Sequence, residues 1–376
     1  MRTFLLLILS VAPSYPVLAQ PDSSEFPLEP FRGIFFNGLD SEGLFPLRQT
    51  GVSTEPVRRA AVAFLAALSN EQRKRTFFAV TDDEWLSWDN RPFYPREGVS
   101  FQELTPAQRE AGIALMRASL SARGLRQSRD IMRLNGTLAE LTGQDDYGEW
   151  SYYLTVMGEP SATEPWGWQV DGHHLVINYF VLGDQVVMSP VFMGSEPIEA
   201  KGGRFKGTIV LQDEQDEGLR FVNMLNAKQR DKAIVKTHKE GTYNVAESWS
   251  DNHQLDLYGI PGKELNRKQR KRLLKLIEAH VGHVATGHAR IKMDEVAAHL
   301  DDTWFAWVGP TDDDAVFYYR IQSPVVMIEF DHQYPIAYNR GGPMSRDHVH
   351  VVVRTPNGND YGKDLLRQHL ERHHSK

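Results

Sequence analysis

The feature that most constrains this chain is an internal repeat. Leu68-Ser69-Asn70-Glu71-Gln72-Arg73 recurs as Leu225-Asn226-Ala227-Lys228-Gln229-Arg230, and Glu103-Leu104-Thr105-Pro106-Ala107-Gln108-Arg109 recurs as Glu264-Leu265-Asn266-Arg267-Lys268-Gln269-Arg270. Both pairs read as helix starts, a small polar cap followed by Gln-Arg on the first turns. Three aromatic segments recur after them. Tyr153–Gly158 returns as Trp304–Gly309, Trp166-Gly167-Trp168 as Phe317-Tyr318-Tyr319, and Leu175–Tyr179 as Val326–Phe330. The offset is 157 residues from Leu68 to Leu225, 161 from Leu104 to Leu265 and 151 from Tyr153 to Trp304. Drift of that size is what changes in loop length produce, and five matches in one order predict a duplicated unit.

Each half therefore runs helices first and aromatic strands second, which predicts an α+β fold with antiparallel aromatic-rich strands and two halves packed about a pseudo-twofold. The first half spans 55–200, a connection 201–214, the second half 215–362, and a C-terminal helix and tail 363–376. Apolar periodicity predicts helices over Glu55–Leu68, Pro106–Leu120, Lys268–Ala285 and Met293–Leu300. Strands are predicted over Trp150–Val156, Gly167–Val170, His174–Val181, Gln185–Ser189, Thr208–Leu211, Trp304–Val308, Ala315–Ile321, Val325–Phe330 and His348–Arg354. Pro190–Pro197 reads as an ordered loop after a strand.

The start of the chain carries an export signature. A basic Arg2, an apolar run from Phe4 to Ala12 and Val17-x-Ala19 predict a signal peptide over 1–19, cut before Gln20, with a Pro-rich leader and loop over 20–54. Nine apolar residues are too few to span a bilayer, so no membrane insertion is expected after cleavage. The expected location is periplasmic or secreted. The chain has no cysteine, which excludes disulfides, thiolate metal sites and a cysteine nucleophile. A net charge of −7 and the absence of a long basic tract argue against nucleic acid as a partner.

Any metal must then be held by His, Asp, Glu or backbone groups. His348 and His350 lie two apart in a β-branched run, so their side chains leave one face of a strand, and Arg354 shares that parity. His173 and His174 follow Asp171-Gly172, which reads as a hairpin turn. His332 closes Glu329-Phe330-Asp331-His332. The repeat sets His174 opposite Val325 and Asn178 opposite Glu329, so the halves differ in polar groups at matched positions. That asymmetry predicts one site between them. His174, His348 and His350 are the first candidates for a divalent metal, with His173 and His332 in reserve. Three histidines and a water make an open zinc site, and copper or iron accepts the same ligands. Glu329 or Asp331 would serve as base or would orient a ligand ring, and Arg354 would take an anionic group. His280-x-x-His283 is a weaker candidate, lacking the Glu of a protease helix. A strand with solvent-facing histidines is the plain alternative. No G-x-S-x-G elbow, P-loop or dinucleotide fingerprint is present.

Trp166-x-Trp168 with Gly172-His173-His174-Leu175, Pro190-x-Phe192-x-Gly194-x-x-Pro197, Glu329-Phe330-Asp331-His332, and His348-x-His350 with Arg354 through Gly362 resemble the family catalogued as domain of unknown function 3500. The resemblance covers nearly the whole mature chain and implies an intact domain, without an activity to carry over. The expectation from the residues is an exported metal-dependent enzyme hydrolysing a small polar or anionic substrate. A copper- or iron-dependent oxidoreductase and a non-catalytic envelope ligand-binding protein are the alternatives.

Overall fold

A mixed sheet of 12 strands runs through the described residues. The structure, a computed structural model, describes residues 31–38, 42–245 and 252–374. The signal peptide expected over 1–19, and residues 20–30 and 39–41 of the expected leader and loop, lie outside the described residues.

The helices and strands alternate in blocks. The order is α1 (Glu55–Ala67), α2 (Asn70–Thr76), β1 (Phe77–Phe78), β2 (Val99–Ser100), α3 (Pro106–Ser119), α4 (Ala122–Thr142), then β3 (Tyr152–Met157), β4 (Trp166–Gly172), β5 (Leu175–Leu182) and β6 (Gln185–Ser195). The second block is α5 (Gln212–Asn223), α6 (Ala227–Ala233), β7 (Ile234–Lys236), β8 (Ile260–Pro261), α7 (Arg267–Val281), α8 (Thr286–Ala298), then β9 (Trp304–Val308), β10 (Tyr318–Gln322), β11 (Met327–His332), β12 (Val349–Arg354) and the closing α9 (Lys363–His374). This is an α+β fold with nine α-helices among the described residues.

Local sequence explains the helix starts. Ser69, Thr105, Asn226 and Asn266 each cap a helix, and the side-chain oxygen of the Gln three residues on accepts the N–H of the cap residue. Gln108 Nε2 then donates to Gln72 Oε1 at 2.9 Å, and Gln229 Nε2 donates to Gln269 Oε1 at 3.0 Å.

The strand order is β1-β3-β4-β5-β6-β12-β11-β10-β9-β7, with β2 on β3 and β8 on β9. The antiparallel pair β6–β12 lies at the centre and sets Val349 opposite Ser195, His350 opposite Gly194 and Val352 opposite Phe192. Side chains alternate, so the sheet has two unlike faces. The helix-covered face is aromatic: Trp168 stacks on Tyr179 at 5.3 Å, and Tyr319 on Phe330 at 5.1 Å. Its few polar groups find helix partners, with Trp168 Nε1 donating to Ser119 of α3 and Tyr319 Oη donating to the Glu214 carbonyl of α5.

The opposite face is polar and also buried. Gln169, Asp171, Asn178, Arg320, Gln322, Glu329, Asp331, His350 and Arg354 are each 7% exposed or less. Loops cover it and satisfy it, as buried polar groups require. Gln169 Nε2 donates to the Trp85 carbonyl, Arg96 meets Asp171 at 3.0 Å, and Tyr243 and Val245 donate backbone N–H groups to Asp331 and Glu329.

Several sequence expectations change here. β6 continues to Ser195 through the stretch read as a loop. Pro190 is tolerated inside it because the β5–β6 ladder shifts between Ile177 and Tyr179, and proline without an N–H fits at such an irregularity. α8 begins at Thr286, seven residues before the short helix read from Met293. Thr208–Leu211 holds one isolated bridge, Ile209 to Glu199, in place of a strand. The turn between β4 and β5 is His173-His174, while Asp171 and Gly172 stay in the strand, where Asp171 pairs with Arg96.

Candidate metal centre

Three imidazoles meet where β6 and β12 cross the middle of the polar face. His348 precedes β12, His350 lies in it, and His174 comes from the β4–β5 turn. The Nε2 atoms of His348 and His350 are 3.0 Å apart, and each lies 3.2 Å from Nε2 of His174. All three rings are buried, at 5%, 2% and 7% exposure for His174, His348 and His350. Four tetrahedral ligands at 2.0–2.1 Å would lie about 3.3 Å apart, so the three nitrogens stand close to the spacing that one zinc ion imposes.

The backbone around each ring is specific. His174 has φ +62, a left-handed conformation rare for a residue with a Cβ, and its carbonyl accepts the Gly194 N–H at 2.8 Å. That turn aims the ring across β6 toward β12. Gly194 leaves the room for it: a Cβ there would stand 2.7 Å from the Val349 carbonyl oxygen, 3.0 Å from His174 Cδ2 and 3.3 Å from His350 Cδ2.

A second set of groups fixes ring orientation and tautomer. His348 Nδ1–H donates to the Tyr334 carbonyl at 2.6 Å, which leaves Nε2 as a lone pair facing its two neighbours. Glu196 Oε2 sits 3.5 Å from the same Nδ1, while its Oε1 accepts N–H groups from Ile336, Ala337 and Tyr338 at 3.0, 3.1 and 3.2 Å. Burial, opposed by those N–H bonds, pushes the Glu196 carboxyl up. Phe192 meets the His350 ring edge-on at 5.0 Å. Burial holds both His174 and His348 well below the ordinary imidazole range, with their neighbouring imidazoles adding to it, so both are neutral, as a metal ligand must be.

His173 stacks on His174 at 3.8 Å and backs it. Asn135 Nδ2 donates to the Gly148 carbonyl, so Asn135 Oδ1 accepts the His173 Nδ1–H at 2.8 Å. His332 is elsewhere. On β11 it is Asp331 that pairs with His350, so alternation sends His332 through to the aromatic face. There its Nδ1 accepts the Phe317 N–H at 2.9 Å and its Nε2 lies 3.0 Å from Gln215 Oε1 of α5.

The two carboxylates stay on the polar face with the triad. Asp331 is directly across from His350, a position where paired Cβ atoms stand about 4.5–5.5 Å apart. It meets Lys239 at 2.8 Å and also accepts the Tyr243 N–H and the Gln333 amide, each at 2.7 Å. Glu329 accepts the Tyr318 hydroxyl at 2.6 Å, and burial pushes its carboxyl up to about 7. Arg354 shares the face but not the place. Four residues along the strand put it about 13 Å from His350, and it pairs there with Asp360 at 3.1 Å over the Trp88 ring. His280 and His283 lie on the helical side, at Tyr319 and Glu214.

A family model described as "Protein of unknown function (DUF3500)" matches residues 50–363. The chain belongs to the DUF3500 family. No curated protein and no solved structure matches it. The DUF3500 span contains every strand of the sheet, the three converging histidines and the groups that orient them.

Residues that sequence reading passed over support the site. Glu196 was visible only as part of the Pro190–Pro197 motif. Asn135, Tyr334 and Lys239 carry no sequence pattern that separates them from other polar residues, because each reaches the site through long-range packing.

Proposed function

We propose that this DUF3500 protein is an exported metal-dependent hydrolase whose zinc ion is held by His174, His348 and His350. One observation carries the reading: three buried Nε2 atoms lie 3.0–3.2 Å from one another, and the Tyr334 carbonyl takes the one ring proton of His348 that would otherwise sit between them. The bare Nε2 of His348, facing two further ring nitrogens in a dry site, is a ready socket for a cation. Those residues would hold a zinc ion, which on three neutral imidazoles would keep its full charge and would supply Lewis acidity enough to lower the pKa of water to about 7.

The chain's own groups divide the remaining work. Tyr334 and Glu196 hold His348 in register, His173 backs His174, and Gly194 keeps the two inner rings close. Asp331 sets fixed negative charge beside His350, matched by Lys239. Glu329, with its carboxyl near 7, is the group suited to take up and return a proton at neutral pH. The pairing of Arg354 with Asp360 favours a small polar substrate over capture of an anion by that guanidinium.

The zinc-loaded full chain should be offered ester, amide and phosphoester substrates. Turnover of one class that falls at least a hundredfold in His350→Ala and Glu329→Gln supports the hydrolase. Turnover seen only with copper or iron and an oxidant moves the reading to an oxidoreductase. Ligand retention without turnover moves it to a binding protein.

The arrangement of halves belongs to the same proposal. We infer one duplicated unit about a pseudo-twofold between β6 and β12. The strand order reads the same from either end when β1–β6 are exchanged for β7–β12. Registers support it: Tyr153 pairs with Asp171 as Trp304 pairs with Gln322, and Gln169 with Asn178 as Arg320 with Glu329. Export rests on the sequence signature, and no helix of the described residues is long and apolar enough to cross a membrane. N-terminal sequencing of secreted material should begin at Gln20.

A further inference from the structure

The outer face of α7 carries a stripe of positive charge. Lys268, Lys271, Arg272 and Lys275 fall at i, i+3, i+4 and i+7, so all four leave one side of the helix. From first to last they cover about 10 Å along the axis. The three lysines are exposed, and the Arg272 side chain is 31% exposed. Together they line an open trough of about 640 Å³ with one acid, Glu278. Met224 at the end of α5, Leu274 of α7 and Met293 of α8 line it too, and Met224 is 38% exposed. The trough therefore sets apolar side chains among cations.

Like charges four apart on a helix repel, and Lys268–Arg272 and Lys271–Lys275 are two such pairs. Glu217 offsets part of this, meeting Arg272 at 2.6 Å and Lys275 at 2.9 Å, but it is shared with Arg220 as well. Lys268 and Lys271 have no acidic partner among the described residues. The matched helix α3 shows that the fold does not need these cations. It opens with the same capping box, Gln108 standing where Gln269 does. Counted from that glutamine, its residues at the four places are Ala107, Glu110, Ala111 and Ala114. The whole chain carries −7, so the stripe is a local reversal of sign.

We propose that the outer face of α7 docks the protein on a bilayer surface that carries anionic phospholipid. Four cations spread over two turns of an open trough match a layer of headgroups, whereas a single small anion would reach only some of them. The ammonium and guanidinium groups meet phosphates, and Met224, Leu274 and Met293 lie against the apolar boundary beneath the headgroups. Those three side chains favour lipid over a purely acidic polymer. Each cation near such a surface strengthens binding roughly fivefold. The contact is peripheral and does not rest on the metal reading.

The test floats the processed chain, starting at Gln20, with vesicles of phosphatidylcholine alone and with vesicles containing about one-third phosphatidylglycerol. The proposal expects flotation with the anionic vesicles only, weakening at least tenfold between about 0.05 and 0.3 M salt. The double variant Lys268→Gln, Lys271→Gln should partition at least tenfold more weakly while melting at the wild-type temperature, since both side chains are exposed. Met224→Ser keeps every charge and should weaken partition severalfold. His348→Ala should float as the wild type does, so failure here and failure of the metal reading are distinguishable. No flotation with either vesicle, equal flotation with both, flotation indifferent to the double variant, or tighter binding of polyglutamate than of the anionic vesicles would overturn it.

Discussion

Gly194 stands directly across the central strand pair from His350, and the space where its Cβ would be is bounded by the His174 and His350 rings and the Val349 carbonyl. The convergence of three histidines therefore depends on a residue that contributes no ligand. Gly194→Ala must push the Val349 backbone or the rings by several tenths of an ångström. The expected result is a 10- to 100-fold loss of metal affinity, the size typical of disturbed support around a metal site, with the fold still melting cooperatively. Competition titration with a chromogenic chelator reads this, and unchanged affinity would show that the glycine is incidental.

The loop that accepts the His348 proton makes a second prediction. Glu196 gathers three backbone N–H groups of residues 336–338 and lies next to His348 Nδ1. Glu196→Gln keeps the shape but trades the charge for an amide. Metal affinity should fall about tenfold, and hydrogen exchange at Ile336 and Ala337 should quicken. Affinity and exchange both at wild-type values would remove Glu196 from the account.

Buried charge gives a third. Arg96 and Asp171 pair at 3.0 Å with their side chains 3% and 6% exposed. Arg96→Met leaves the carboxyl of Asp171 without its cation and should cost about 3–5 kcal/mol. Burial pushes Asp171 up to about 7 even with Arg96 present. A carboxyl raised in the folded state gives stability that is complete below its unfolded value and is lost as pH rises through the folded one. The cost of Arg96→Met should therefore be larger at pH 8 than at pH 6, by urea melts. The opposite order would contradict it.

Acid sensitivity gives a fourth. Burial pushes His280 and His332 each down to about 3. A histidine depressed in the folded state contributes stability above its unfolded value, near 6.5, that is lost as pH falls toward the folded one. Stability should decline between pH 6.5 and 4, and His280→Gln should flatten that limb. An equally steep limb in the variant would assign the acid loss to other groups.

Much of the site was legible because strand parity is a local property. His348 and His350 are two apart, and nothing beyond the alternation of a strand is needed to put them on one face. The grouping of His174 with them rested on its rank among few strand histidines, and the β5–β6–β12 pairing supplies the closeness. Parity does not carry between strands without register, which explains His332: it stood as a reserve ligand until the β11–β12 register set Asp331 opposite His350 and so sent His332 to the other face. Capping residues were equally readable, since Ser69, Thr105, Asn226 and Asn266 act within four residues of themselves. Helix α4 was not, although Ser121 caps it and Gly143 closes it in the left-handed conformation. Arg, Ser, Gly and Asn interrupt its apolar stripe, and its buried Gly124, Ser128 and Asn135 earn their places by close packing and hydrogen bonding.

The most direct measurement of the central claim is metal content. The full chain, purified without chelator or affinity metal, should be analysed by mass spectrometry of its elements, alongside His174→Ala, His348→Ala and His350→Ala. The account predicts about one zinc ion per chain, lost in each variant while His332→Ala keeps it. It also predicts that the wild-type melting temperature falls on chelation and returns on adding zinc. A chain that carries no stoichiometric metal, takes up none when offered zinc, copper or iron, and melts at the same temperature with and without chelator would contradict it.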